Sequence, residues 1–157
     1  MYWQRRLTRL ELGLYALIVA VVLLFFLDRV ADTMELAERA SMEVTVSQIN
    51  SGLNIRMATD RLYGRLTRVS NLLERNPFEV AGTTASNSLG ELDFRNLEDL
   101  ERGNWVFDSR RRELVYLPRL HRRLHTGDRT IRFHLVRKGD GMLLLAPITP
   151  YVWDTGA

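Results

Sequence analysis

At 157 residues, with a formal net charge of +3 and no cysteine, the chain has room for one small domain beyond any membrane segment. So mild a charge does not by itself indicate a polyanionic partner, and the lack of cysteine excludes both a disulfide framework and a thiol nucleophile. An oxidising compartment is permitted without being required.

Residues 1–11 form a basic N-terminus carrying Arg5, Arg6 and Arg9, with Tyr2 and Trp3 suited to a membrane interface. From Leu12 to Leu27 there is no charged, amide or hydroxyl-only side chain. That run gives about 24 Å of helix, close to the hydrocarbon thickness of a bilayer once Leu7, Leu10 and Val30 are added. A buried core helix would be expected to keep one face for water, which LIVAVVLLFFL does not. A cleaved secretory signal is disfavoured because Asp28 and Arg29 follow Leu27 directly, without a small-residue cleavage site. Residues 12–29 therefore read as a transmembrane helix. The flanking arginines put the N-terminus in the cytoplasm and the rest of the chain outside. Glu11, at the mouth of the apolar run, is expensive there unless it snorkels, pairs or is protonated.

No Gly or Pro occurs between Asp28 and Ser51, so the helix should continue out of the membrane over residues 30–58. Met42, Val46, Ile49, Leu53 and Met57 lay an apolar stripe along it, while Glu38, Glu43 and Gln48 are expected on the wet side and Glu35 pairs with Arg39 at helical spacing. Gly52 within the stripe marks a close approach or a bend. A second amphipathic helical segment is expected over 59–77, either a fresh helix or a continuation after a kink near Gly64, with Leu62, Leu66, Val69 and Leu73 opposite Arg61, Arg65 and Arg68 and with Asn76 and Pro77 ending it. Residues 78–103 read as a connecting surface region with a short helical turn near Asn96 to Glu101.

From 104 to the end the period changes. Trp105–Phe107 and Leu114–Leu117 flank the polar turn Asp108–Arg112 as a hairpin; TIRFHLVR alternates as a half-buried strand, and after the KGDG turn MLLLAPI returns as another. The expected fold is α+β: a long N-terminal helix packed on a C-terminal four-stranded antiparallel sheet, with the Met42–Met57 stripe as its lid.

This arrangement, with LTRLE entering the apolar helix, LAERASMEVTVSQINSGLNIRMA as an amphipathic extension and GNWVFDSRRRELVYLP and RTIRFHLV in the sheet, resembles type IV pilin-like proteins. The sheet segments resemble those of minor pilin-like proteins, or pseudopilins, of type II secretion or mannose-sensitive haemagglutinin pilus systems. In that family a peptidase cuts after a glycine, the new N-terminal residue is usually a methylated phenylalanine, and a glutamate follows four residues later. The resemblance makes Arg6 and Leu7 the processing junction and Glu11 the glutamate that pairs with a neighbouring subunit's amine. It also implies subunit contact in the membrane through Glu11, Leu14, Ile18 and Val22. Arg6 stands where the family has glycine, Leu7 where it has an aromatic residue and Arg9 where it has an apolar one. The implied function is a structural subunit that stays in, or starts from, the inner membrane: an assembly, priming or tip component, with a processed minor pseudopilin as the alternative. Its partners would be other pilins or pseudopilins, the inner-membrane assembly platform and the lipid bilayer itself, and the resemblance implies a bacterial inner membrane with the C-terminal domain in the periplasm.

A reading of a different class is an anchored binding or sensor head. Arg110, Arg111, Arg112, Arg119, Arg122 and Arg123, interleaved with Tyr116, His121 and His125, could grip phosphates of nucleic acid or an anionic polysaccharide; a charged sheet edge and loop is the plainer account. An enzyme is not expected, since there is no GxSxG, Gly-rich phosphate loop or HExxH, and no cofactor or metal is implied. His121 and His125 lie among arginines, which opposes a cation site. The acids Asp93, Glu98, Asp99 and Glu101 match no calcium-ligand spacing.

Overall fold

The computed structural model describes residues 9–64, 69–92, 100–127, 129–139 and 141–154. By its contacts the chain divides into two compact units, the boundary falling after Leu36. Helix α1 runs from Arg9 to Leu62, and the part before the boundary is all of the first unit that is described. Glu11 lies in the first described turn of α1.

The second unit begins with the rest of α1. The one-turn helices α2 (Val69–Leu72) and α3 (Pro77–Ala81) follow. Strands β1 (Ser88–Leu92), β2 (Asn104–Asp108), β3 (Glu113–Leu117), β4 (Leu124–His125), β5 (Ile131–Arg137), β6 (Leu143–Pro147) and β7 (Val152–Trp153) complete it. Among the described residues they form a five-stranded sheet in the order β1-β2-β3-β5-β6 and a two-stranded β4-β7 pair.

The sheet's inner rows are set by register. Trp105 faces Tyr116 and Tyr116 faces Ile131, while Phe107 faces Leu114 and Leu114 faces Phe133. The Trp105 ring lies 4.8 Å from Tyr116 and 5.8 Å from Phe133, and Phe78 of α3 meets it edge-on at 6.1 Å. Met42, Ile49, Leu53 and Met57 of α1 are buried in the same cluster, so the helical stripe is the lid that the alternating strands require. The alternate residues Val106, Val115 and Leu117 are buried on the opposite face, where Leu92 and Leu100 pack on them. Both faces of the sheet centre are thus covered, which is why WVF and LVYL read as continuous apolar runs without alternation.

The sheet corrects the expectation of four antiparallel strands. β2, β3, β5 and β6 do pair antiparallel, but β1 adds a parallel edge beside β2, making the sheet mixed. β1 carries little strand signal, since Gly90 sits at φ +81° where the pairing with β2 shifts register. The region after α1 also differs. α1 continues to Leu62 and turns at Gly64, whose φ is +62°; Arg65, Leu66 and Arg68 lie outside the described residues, and α2 is a single turn. Asn76 and Pro77 begin a helix instead of ending one. The Asn76 side chain accepts the Phe78 N–H, Pro77 occupies the first turn and Gly82 closes the helix in the left-handed region at φ +66°. The helical turn expected near Asn96 lies largely outside the described residues.

Candidate interaction surfaces

Every large apolar side chain from Leu10 to Leu27 is exposed, from Val21 at 43% to Leu10 at 87%. The α1 segment is long and apolar enough to cross a membrane, and none of that apolar window is buried. Leu14, Ile18 and Val22, expected with Glu11 as subunit contacts in the membrane, are exposed and recur with it on one helix face. Arg6 and Leu7 lie outside the described residues.

In the second unit the Glu38 turn of α1 is clasped to the sheet by one carboxylate. Glu38 Oε1 accepts the Arg119 N–H at 2.6 Å and the Tyr116 hydroxyl at 3.0 Å, and Oε2 accepts the Leu120 N–H at 2.9 Å. Pro118 ends β3 and turns the chain so that two successive N–H groups point at one anion, which the glutamate supplies. Burial, reinforced by the Glu38 charge and the hydrogen bond to it and opposed by Arg119, raises the Tyr116 hydroxyl well above the usual tyrosine range. Next to this clasp, Arg39 donates from Nη1 to the Trp153 carbonyl at 2.6 Å and from Nε to Glu43 at 2.7 Å. The helix therefore also holds β7. Glu38 had been expected on the wet side. Helical periodicity says which way a side chain leaves its own helix, and nothing in it marks the loop after Pro118 as waiting there.

The six arginines considered for anion binding fall into two groups. Arg110, Arg111 and Arg112 form the β2–β3 turn, organised by Asp108, whose Oδ1 accepts the N–H of Arg110 at 3.0 Å and of Arg111 at 3.1 Å. Arg112, at φ 58°, extends to Glu74 at 2.7 Å. Arg119, Arg122 and Arg123 lie beyond the other end of β3, with Arg119 donating to the Arg102 carbonyl at 3.5 Å. The five residues of β3 hold the two groups apart by roughly 17 Å. His125 lies 3.7 Å from Asp154 at the surface. Of the acids considered for calcium, Asp93, Glu98 and Asp99 lie outside the described residues, and among the described residues no three acids or histidines gather as ligands.

The outward side of α1 carries a further surface. An open groove of about 710 Å³ runs between α1 and the α3 segment, its walls including Val44, Ser47, Ser51 and Ile55 on one side and Val80 and Thr83 on the other. Gly52 makes that junction: a Cβ there would collide with the Ala81 carbonyl, so the glycine marks a close approach. Arg56 donates to the Val80 carbonyl at 3.2 Å and ties the two segments together.

The chain matches no protein-family model, no curated protein and no solved structure.

Proposed function

We propose that this protein is a pilin-like, membrane-anchored structural subunit of a type IV pilus or type II secretion-type machine, an assembly, priming or tip component with its head in the periplasm. The observation that carries this reading is one uninterrupted helix adapted to two environments. Its first part is apolar on every side and unburied, and its later part buries one stripe against a sheet. The first property suits lipid and the second a folded head. Such a chain works by association, with apolar helices packing side by side in lipid and heads meeting above them. A head that grips nucleic acid or anionic polysaccharide is less well supported, because its arginines are divided between the two ends of β3.

The test is to extract the protein from membranes in mild detergent, capture it, and read both companions and N-terminal peptide by mass spectrometry. Recovery of pilins, pseudopilins or an assembly platform is the expected result, and the peptide shows whether the chain starts at Met1 or Leu7. Recovery of none of these, with a chain intact from Met1, would move the reading to an anchored binding head.

A further inference from the structure

In the β2–β3 turn, Arg112 holds φ at 58°, the left-handed region where a hairpin turn ordinarily places glycine because a Cβ is costly there. The contacts of its side chain do not offset that cost. Glu74 lies 2.7 Å away, but both side chains are more than half exposed, and an ion pair in water returns little. With Arg110 and Arg111 the turn carries three successive exposed arginines, held in place by the two N–H groups that Asp108 accepts. Strain kept at a residue that the core does not use points to a use outside the fold.

Sheet register brings a second basic turn to the same end. Because β5 runs antiparallel to β3, with Leu114 facing Phe133, it heads toward the end at which the β2–β3 turn lies. The β5–β6 turn, with Arg137 and Lys138 exposed, is therefore two strand spacings from the first, about 10 Å. The last turn of α1 arrives here too: Arg61 Nη2 and Arg137 Nη2 stand 3.5 and 3.8 Å from the place that a Cβ on Gly141 would fill. Two guanidiniums thus converge over one glycine. Of the acids described at this end, Asp108 is buried beneath the turn, Glu113 accepts from Arg132 at 3.1 Å, Glu74 accepts from Arg112, and Asp60 adjoins Arg61 in the chain. Among the described residues the cations outnumber them.

We infer that this end of the head docks an acidic segment of a partner protein, its carboxylates received by the Arg110–Arg112 turn and by Arg61, Arg137 and Lys138. Arginine forks take carboxylates and phosphates alike. Two turns about 10 Å apart match the few carboxylates of a short acidic run, whereas a nucleic-acid backbone is followed by a longer basic groove. Arg112 already takes a carboxylate, and Glu74, being exposed, can be displaced by an incoming one. All of these residues lie in the second unit, so the inference does not depend on the membrane-anchored reading.

The probe is a fluorescein-labelled decaglutamate peptide, titrated with the full-length chain in non-ionic detergent and followed by fluorescence anisotropy. Binding is expected at low salt and should weaken as salt is added. Arg110→Ser/Arg111→Ser should weaken it about tenfold, whereas Arg119→Ser/Arg122→Ser, which removes the same charge beyond the other end of β3, should change it by less than about twofold. Arg112→Gly should weaken the peptide's binding while its melting temperature equals or exceeds the parent's, since glycine relieves the left-handed backbone. No binding, an equal loss in the two double variants, or an Arg112→Gly chain that binds fully or melts below the parent would overturn the inference. A single-stranded oligonucleotide held more tightly than the peptide, with the same loss in Arg110→Ser/Arg111→Ser, would overturn the choice of an acidic protein and assign the turns to phosphate.

Discussion

Glu38 concentrates more of the head's polar bonding than any motif in the sequence suggested. Its carboxylate accepts two backbone N–H groups and a phenol, from residues 78 to 82 positions away. Replacing it by alanine removes all three acceptor contacts, and a donor left unsatisfied in a half-buried place costs about 1–3 kcal/mol. Glu38→Ala should therefore lower the unfolding free energy by about 2–3 kcal/mol, and Glu38→Gln, which keeps one acceptor oxygen, by less; urea unfolding of the detergent-solubilised chain measures both. Tyr116 adds a pH dependence whose sign follows from its raised hydroxyl. The folded state favours the neutral phenol, so this contribution is fully present below the ordinary tyrosine value of 10.0. Above that pH the unfolded chain ionises its tyrosine while folded Tyr116 stays protonated, and stability falls as pH rises. The expected result is a decline in the urea midpoint from about pH 10 upward that is smaller in Tyr116→Phe. Part of the decline should persist in that variant, because burial raises Tyr151 as well.

Between elements, the decisive contacts are those that let α1 serve as a lid. Gly52 allows the Ala81 carbonyl to rest against the helix backbone. Gly52→Ala gains about 1 kcal/mol in helix propensity, yet the added methyl must push α3 away, an overpacking cost of about 1–3 kcal/mol. Net destabilisation is expected, visible as a lower melting temperature; an unchanged or raised one would mean that α3 gives way freely. Asn50 plays a related part at the sheet edge. Its Oδ1 accepts the Leu145 N–H at 2.8 Å, and with Pro147 lacking an N–H of its own, β6 offers little for another strand to pair with. The elements legible in the sequence were those with a strong period: the apolar run, the Met42–Met57 stripe and the alternating β5. β1 and α3 were not. One is five residues bent at a left-handed glycine, and the other is a short helix whose Asn76-Pro77 start has the same residues as a helix end.

For the whole molecule, the proposed anchor leads to a partition measurement. Ile18→Arg puts a charge in the middle of the exposed apolar segment, which costs about 3 kcal/mol at the bilayer centre. This should shift the chain roughly a hundredfold toward the carbonate-soluble fraction; the same fraction as the parent would argue against a spanning helix. The sequence by itself determined which stretches are apolar throughout and which are apolar on one face, because hydropathy and period are local: sixteen residues without charge, an amphipathic continuation and strands with apolar faces are properties of neighbours in the chain. Tertiary structure alone decided how those parts join. The parallel edge β1, the burial of Val106, Val115 and Leu117 on the second face of the sheet, the Glu38 clasp and the division of the arginines between the two ends of β3 all depend on residues far apart in sequence. Each arises where loop closure brings such segments together, and no short-range pattern records that event.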